Sequence, residues 1–243
     1  MGRQLVYRSQ SGTELKAEAA TLIRLAEAME NGISALRRDR AMLAGTLRIS
    51  VPDGMAQMLT RSLIALRKEH PGIDIELIGE NRMADVAARE ADIAVRIARS
   101  TSNVLVEKHL GTLRFSLYAS EEYVRRHLPT RRLGKGDAAT HSFVGLDPRW
   151  RGLPHEQWLR TLGADRFVFR SSSMEAIVEA VRAGMGIAAL IDEDPRTKGL
   201  ERIATSGTGP SQSFYLVFHR DLRQLAHVRA AVAAIEADMR SRR

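Results

Sequence analysis

The chain has 243 residues, 44% of them hydrophobic, with no cysteine and a formal net charge of +8. That composition fits one or two globular domains with a real core and excludes a disordered or collagen-like chain, while the missing thiols exclude disulfides, a cysteine nucleophile and thiolate metal sites. No apolar run approaches the roughly 20 residues that span a bilayer, charges interrupt residues 1–20 where a signal peptide needs an apolar core, and the basic balance favours polyanionic partners.

Near the start, Leu5, Val6 and Tyr7 stand between Arg3 and Arg8, and Ser9-Gln10-Ser11-Gly12 is turn-forming, which predicts a hairpin. From 14 to 43, Leu15, Leu22, Met29, Leu36 and Leu43 recur every seven positions, with Ala19, Ala26 and Ile33 between them. This is a coiled-coil seam, interrupted by Gly32 and Arg40, and it predicts a long helix packed against a second copy of itself. A helix lying on its own domain is the alternative. Thr13 would be its N-cap.

Residues 46–51 are rich in β-branched and long apolar side chains and predict a strand. Pro52-Asp53-Gly54 breaks it and opens a helix whose apolar residues are Met55, Met58, Leu59, Leu63 and Leu66. His70-Pro71-Gly72 stops that helix, and Ile73, Ile75 and Leu77 then alternate with Asp74 and Glu76 as in a strand. A short helix over 83–89 and a buried strand over 92–97 complete a βαβαβ order, which predicts a parallel sheet with right-handed crossovers.

Two strands, 104–110 and 113–119, are expected around Gly111, then a helix capped by Ser120 that runs to His127 with Glu121 and Glu122 in its first turn. Residues 128–141 form a polar connection, 143–146 a strand and 147–153 a loop, with packing resuming at Trp158 and Leu159. A strand at 167–169, a helix at 171–184 with Ile177, Val178 and Val181 inward, and a buried strand at 186–191 make a second βαβ unit. A turn-rich link at 206–211, a strand at 214–218 and a helix from 221 to 240 close the chain. Two βαβ units predict two similar lobes with a cleft between them. Between 125 and 170 lie ten basic residues and four acidic ones. A solvated arginine-rich face is the plain account, and an anion-binding surface the functional one.

Catalytic constellations are weak. The seven histidines are scattered, His155-Glu156 lacks the second histidine of a zinc-protease helix, and no G-x-S-x-G elbow occurs. Gly184-Met185-Gly186 follows a helix and precedes a strand, the reverse of a dinucleotide fingerprint. No cofactor or metal is expected. Binding has better support, because ligands of two-lobed α/β proteins sit at the carboxyl ends of parallel strands, facing helix N-termini. Three such ends are polar: Val51, Pro52 and Asp53; Ser100, Thr101, Ser102 and Asn103; and Arg170, Ser171 and Ser172, with Ser173 beyond. Each residue taken alone is equally a helix cap or a turn former.

"GTLRISVP" at 45–52, "LRKEHPGIDIEL" at 66–77 and "READIAVR" at 89–96 resemble the first half of the effector-binding domain of LysR-type transcriptional regulators, and the likeness continues in order to the C-terminus. The resemblance implies a two-lobed, periplasmic-binding-protein-like α/β effector domain preceded by a long dimerising linker helix. Residues 1–12 would be the wing of a winged helix-turn-helix whose reading helices are largely missing, 13–44 the linker, 45–118 with 219–243 the first lobe, and 119–218 the second. It also implies that Val51–Asp53, Ser100–Asn103, Ser171, Ser172, Ile191 and Asp192 line an effector cavity. Two departures stand out: Lys16 follows Leu15 where the family usually has threonine, and Asp53 replaces a hydroxyl residue, which disfavours a carboxylate effector unless Arg170 or another arginine offsets it. The expected protein is a cytoplasmic, non-enzymatic regulator with an unidentified small-molecule effector, DNA and a second copy of itself as partners, in dimers or tetramers, and no membrane. Its rivals are a solute-binding protein of the same fold and an enzyme on a two-lobed scaffold.

Overall fold

The computed structural model describes residues 6–9, 12–15, 43–79, 91–99, 102–134 and 136–242, together with Leu22, Leu25, Ala26, Ala28 and Met29. The chain divides into two compact units, Met1–Leu110 with Tyr215–Arg243, and Gly111–Phe214.

The first unit begins with a hairpin. Strands β1 (Val6–Ser9) and β2 (Gly12–Leu15) pair antiparallel, Val6 opposite Leu15 and Ser9 opposite Gly12. This corrects the start of the heptad seam: Thr13 caps no helix and Leu15 is extended, because β1 offers its backbone a partner. Leu22 and Met29 are helical, with 52% and 68% of their surface exposed, whereas Leu43 is irregular and leads directly into the next strand. Leu36 lies outside the described residues, as does the short helix expected over 83–89.

Strand β3 (Ala44–Val51) forms the middle of a parallel trio. It pairs along its whole length with β4 (Gly72–Gly79) and at Ile49 and Ser50 with β5 (Ile93–Arg96). Leu47, Ile49 and Val51 are fully buried, and so is Ser50 on the opposite face, as expected of a strand covered on both sides. Helix α1 (Ala56–Glu69) crosses between β3 and β4 and buries Leu59, Leu63 and Leu66, a stripe at i, i+4 and i+7. His70 ends it, donating its N–H to the Leu66 carbonyl at 2.8 Å, and Pro71 cannot continue the ladder. At Gly72 a Cβ would lie 2.6 Å from the Leu43 carbonyl oxygen, so only glycine lets β4 start here.

The sheet is not wholly parallel. The last strand, β11 (Ser211–His219), pairs antiparallel with β5, Leu216 opposite Val95. A strand entering from the C-terminal side arrives without a βαβ crossover, so the right-handed parallel rule does not govern it. Helix α5 (Ala226–Ser241) follows and packs against α1; Arg242 donates to the Met58 carbonyl at 2.8 Å, and Lys108 pairs with Glu236 at 2.9 Å.

Strand β6 (Leu105–Ala119) carries the chain into the second unit. It is one 15-residue strand, not two around Gly111. Gly111 interrupts nothing; a side chain there would meet the Phe214 ring at 3.0 Å, so glycine makes room for an aromatic. Helix α2 (Glu121–His127) is capped as expected, the Ser120 hydroxyl accepting from the Tyr123 N–H at 3.2 Å. The connection after it carries apolar anchors, Leu128, Leu133 and Ala138, in one core cluster with Tyr123, Phe143 and Leu159.

Strand β7 (Phe143–Leu146) runs parallel to β8 (Phe167–Ser171) and, through a bridge from Phe143 to Ile187, parallel to the approach of β9 (Ala188–Ile191). Helix α3 (Pro154–Thr161) lies between β7 and β8, and α4 (Met174–Arg182) between β8 and β9, with Ile177, Val178 and Val181 inward. Ile191, Leu190, Ala189 and Ala188 also pair antiparallel with Phe115–Tyr118 of β6, which holds β10 (Glu201–Ile203) antiparallel on its other edge at Leu117–Ala119.

Candidate functional site

In the first unit the carboxyl ends of β3 and β5 point the same way. Val51, buried and paired with Gly79, ends β3; Pro52, with φ −57° and ψ 138°, turns the chain, and the Met55 N–H donates to its carbonyl at 2.8 Å. Pro52 is thus the cap of a single 3-10 turn, Asp53–Met55, that leads into α1, and Asp53 lies in its first turn rather than acting as the cap. The Asp53 carboxylate stands over the end of β4, 3.6 Å from where a Gly79 Cβ would be. A negative charge suits the unpaired N–H groups of a helix start. Ser102 and Asn103 form the turn into β6, the Ser102 carbonyl accepting from Leu105 N–H at 3.5 Å. Ser100 and Thr101 lie outside the described residues.

The same edge holds a group that strand-end reasoning passed over. Arg96 closes β5 and directs both terminal nitrogens to the buried Ser50 hydroxyl, each at 3.4 Å, while Nη1 also donates to the Val95 carbonyl at 2.8 Å. The signal was available: an arginine ending an apolar run, and a serine between Ile49 and Val51 in the strand that pairs with it. Nearby, Arg99 donates to the Tyr215 hydroxyl at 3.3 Å, holds its guanidinium 5.3 Å from that ring and faces Glu107 at 3.7 Å.

In the second unit β7, β8 and β9 end together, so Arg170, Ser171 and Ser172 share an edge with Ile191 and Asp192. Strand β8 continues through Ser171, and the helix cap is Ser173, whose hydroxyl accepts from the Ala176 N–H at 3.4 Å. This corrects a helix start at 171: Ser171 instead accepts from the Ser173 N–H at 3.1 Å, and its backbone stays in the β7 ladder. Arg170 is held on three sides. Its Nη1 donates to the Leu146 carbonyl at 2.6 Å and to Glu156 Oε2 at 3.3 Å, and its guanidinium lies 3.6 Å from the centre of the Phe167 ring. Glu156 is 2% exposed, and its other oxygen accepts from the Leu146 N–H at 2.9 Å. Both charges of this pair, Glu156 buried and Arg170 half-buried, therefore have hydrogen-bond partners, the condition under which burying a charge is tolerated.

Asp192 follows β9, and its carboxylate is also engaged: Oδ1 accepts from the Tyr118 hydroxyl at 3.2 Å and Oδ2 from Arg202 at 3.4 Å, while Arg202 reaches Ser116 at 2.9 Å. Burial, then the charge of Asp192, pushes the Tyr118 phenol up to about 12, so it remains a hydrogen-bond donor. Beside this edge, His155 stacks on Phe115 with ring centres 4.4 Å apart and planes 9° apart. Its Nε2 is buried and unpartnered, and burial lowers its pKa to about 4. His155 is thus a neutral packing residue at neutral pH.

The sequence-predicted positions accordingly fall into two sets. Val51, Pro52, Asp53, Ser102 and Asn103 belong to the first unit, and Arg170, Ser171, Ser172, Ile191 and Asp192 to the second. Arg170 cannot be read as a cation waiting for a carboxylate, since Glu156 already faces it. Among the described residues no cluster of three or more histidine or carboxylate groups could hold a metal ion, and no helix is long and apolar enough to cross a membrane.

Residues 40–240 match the family described as the LysR substrate binding domain. Among curated relatives, an uncharacterized HTH-type transcriptional regulator of Escherichia coli K12, YhjC, is 26% identical over 201 residues, 77% of this chain and 65% of its own length. The E. coli activator AaeR is 26% identical over 151 residues, 59% of this chain and 47% of its own. The chain therefore spans less than two thirds of the length of these relatives. Among solved structures, the LysR-type regulator CrgA of Neisseria meningitidis aligns with 98% of this chain and 84% of its own, at TM-score 0.68 and 21% identity. The CcmR regulatory domain of Synechocystis PCC6803, solved in complex with 2-PG, aligns with 79% of this chain and 96% of its own, at TM-score 0.64 and 16% identity.

Proposed function

The chain belongs to the LysR substrate-binding domain family, and from that premise we propose that it is the ligand-sensing and dimerising portion of a LysR-type transcriptional regulator. The family match over 40–240 carries this reading. Coverage supports it: CrgA aligns with 98% of this chain, whereas the CrgA regulatory domain alone aligns with 81%. The residues before the effector domain thus have counterparts in a longer regulator.

Each part then has a task. Val51, Pro52, Asp53, Ser100, Thr101, Ser102 and Asn103 in one unit, and Arg170, Ser171, Ser172, Ile191 and Asp192 in the other, offer backbone N–H groups, hydroxyls and two carboxylates at strand ends to a small effector. Arg96, with Ser50 behind it, joins the first set. Effector binding favours one arrangement of the regulator over another by its differential affinity. Helical positions Leu22, Leu25 and Met29 form a stripe at i, i+3 and i+7, left 52%, 41% and 68% exposed in a single chain, and it is covered by the same stripe of a second copy. The Val6–Leu15 hairpin is the wing of a winged helix-turn-helix, whose recognition helix carries sequence preference in the whole protein. Such a protein works on DNA in the cytoplasm and catalyses no reaction. The neighbour solved with 2-PG bound is in keeping with a ligand-binding role for this fold.

Fluorescence anisotropy with a promoter-length duplex tests the division of labour. This chain should bind it no better than a random duplex and lose both as salt rises, whereas a form extended upstream of Met1 should gain sequence preference. Selective, salt-resistant binding by the 243-residue chain alone would overturn it.

A further inference from the structure

Away from the strand ends, the first unit has a concave apolar surface, a groove of about 340 Å³ between α1 and β4. Its helix side is the stripe Thr60, Leu63, Ile64, Arg67 and Lys68, spaced i, i+3, i+4, i+7 and i+8, and its strand side is Ile75 and Leu77, which share one face of β4. Leu63 is buried, Ile75 and Leu77 are half-buried, and Ile64 leaves 52% of its surface exposed. Among the described residues β4 pairs with β3 alone, so it is the outer strand of the sheet beside this groove.

The groove is cationic at one end. Arg67 and Lys68 line it, and no carboxylate does. Both stand in the last turn of α1, where they also offset the negative end of the helix dipole. The nearby acids are engaged or turned away. Asp74 and Glu76 alternate with Ile75 and Leu77 and so face the other side of the sheet, where Glu76 pairs with Arg48 at 2.8 Å. Glu69 lies 3.8 Å from His70, and Asp238 is taken up by Arg242 at 2.6 Å with Arg61 at 3.9 Å. At the opposite end of the stripe the Thr60 hydroxyl donates to the Ala56 carbonyl at 3.0 Å, so its donor is spent within the helix.

Size selects the occupant. A stable interface with another protein buries roughly 800 Å² on each partner, far more than one exposed isoleucine and the edges of two other side chains supply. Small-molecule pockets begin near about 300 Å³, so this groove suits a ligand at the small end of the range. We propose that it binds a medium-chain aliphatic carboxylate, the hydrocarbon lying along Leu63, Ile64, Ile75 and Leu77 and the carboxylate meeting Arg67 and Lys68. The site lies within one unit, apart from the strand ends, and its ligand chemistry does not rest on the regulator reading.

The test is calorimetric titration of the full chain with octanoate, hexanoate and octan-1-ol, each below its aggregation limit. Octanoate should bind, and hexanoate, two methylenes shorter, about tenfold more weakly. Arg67→Gln with Lys68→Gln should weaken octanoate about fivefold and leave octan-1-ol unchanged, whereas Ile64→Gln should weaken both. A control pair in the second unit, Arg125→Gln with Arg160→Gln, both exposed, should bind octanoate as the parent does. The proposal is overturned if octanoate does not bind, if hexanoate binds equally well, or if the control pair loses as much as the groove pair. It is also overturned if octanoate binding is lost in Asp53→Asn but kept in the groove variants, which would put the ligand at the strand ends. A second copy as occupant would show as dimers that Ile64→Gln dissociates while octanoate binding stays at the parent's level, and that result too would contradict it.

Discussion

The two units make the same move, a strand ending in a helix N-terminus, by different means. In the first, the turn after β3 is set by backbone: Pro52 supplies its fixed φ and a carbonyl for the Met55 N–H, and no side chain caps the turn. In the second, the turn after β8 is built from side chains, with Ser173 capping α4, Ser171 bonding to the Ser173 N–H, and Glu156 holding Arg170 and the Leu146 N–H. A turn closed by backbone bonds tolerates change in its side chains better than a turn whose side chains are themselves the cap and the acceptors.

The sharpest way to break this contrast is Glu156→Ala. It leaves the half-buried Arg170 without its carboxylate and Leu146 N–H without an acceptor, and it should cost about 3–5 kcal/mol in urea unfolding, whereas Glu156→Ala with Arg170→Met should recover much of that. A loss below about 1 kcal/mol would show that the pair is not structural.

Next in size is the acid response of His155. Its pKa is about 4 folded and near 6.5 unfolded, so protons bind preferentially to the unfolded chain. Its neutral form supports the fold fully above about pH 6.5; stability then falls as pH drops towards 4, by about 3 kcal/mol from this residue. His155→Phe, read against the parent at pH 7 and pH 4.5, should lack that part of the decline.

Smaller still, Ser173→Ala should cost about 1 kcal/mol through the lost cap of α4, while Ser172→Ala, beside it but not the cap, should cost less than half of that. The smallest effect belongs to the backbone-built turn: Asp53→Asn should shift stability by under about 0.5 kcal/mol while changing any ligand response.

The alternation of strands and helices was legible because apolar spacing reports it directly, as in Leu59, Leu63 and Leu66 or in Ile177, Val178 and Val181. What escaped depends on partners distant in sequence. Leu15 fits a heptad and a strand equally well, and only pairing with Val6 decides. Gly111 reads as a break until Phe214 is known to cover it. Three consecutive serines do not reveal which of them caps α4. The strand-end rule picked out the polar segments that follow β3, β5 and β8, yet it gave no sign of Arg96 on Ser50 or of the hold of Glu156 on Arg170, contacts between residues 46 and 14 apart.

The central claim is that the strand ends, and not a catalytic centre, define what this chain does. Thermal unfolding of the parent, Asp53→Asn and Ser172→Ala against a panel of small organic anions, sugars and aromatic acids, with each stabilising compound recovered and analysed afterwards, addresses it most directly. The account predicts a compound that raises the parent's Tm, is recovered unchanged, and loses most of its effect in both variants, whose own Tm values stay near the parent's. A compound that is chemically converted, or that stabilises both variants as well as the parent, would contradict it.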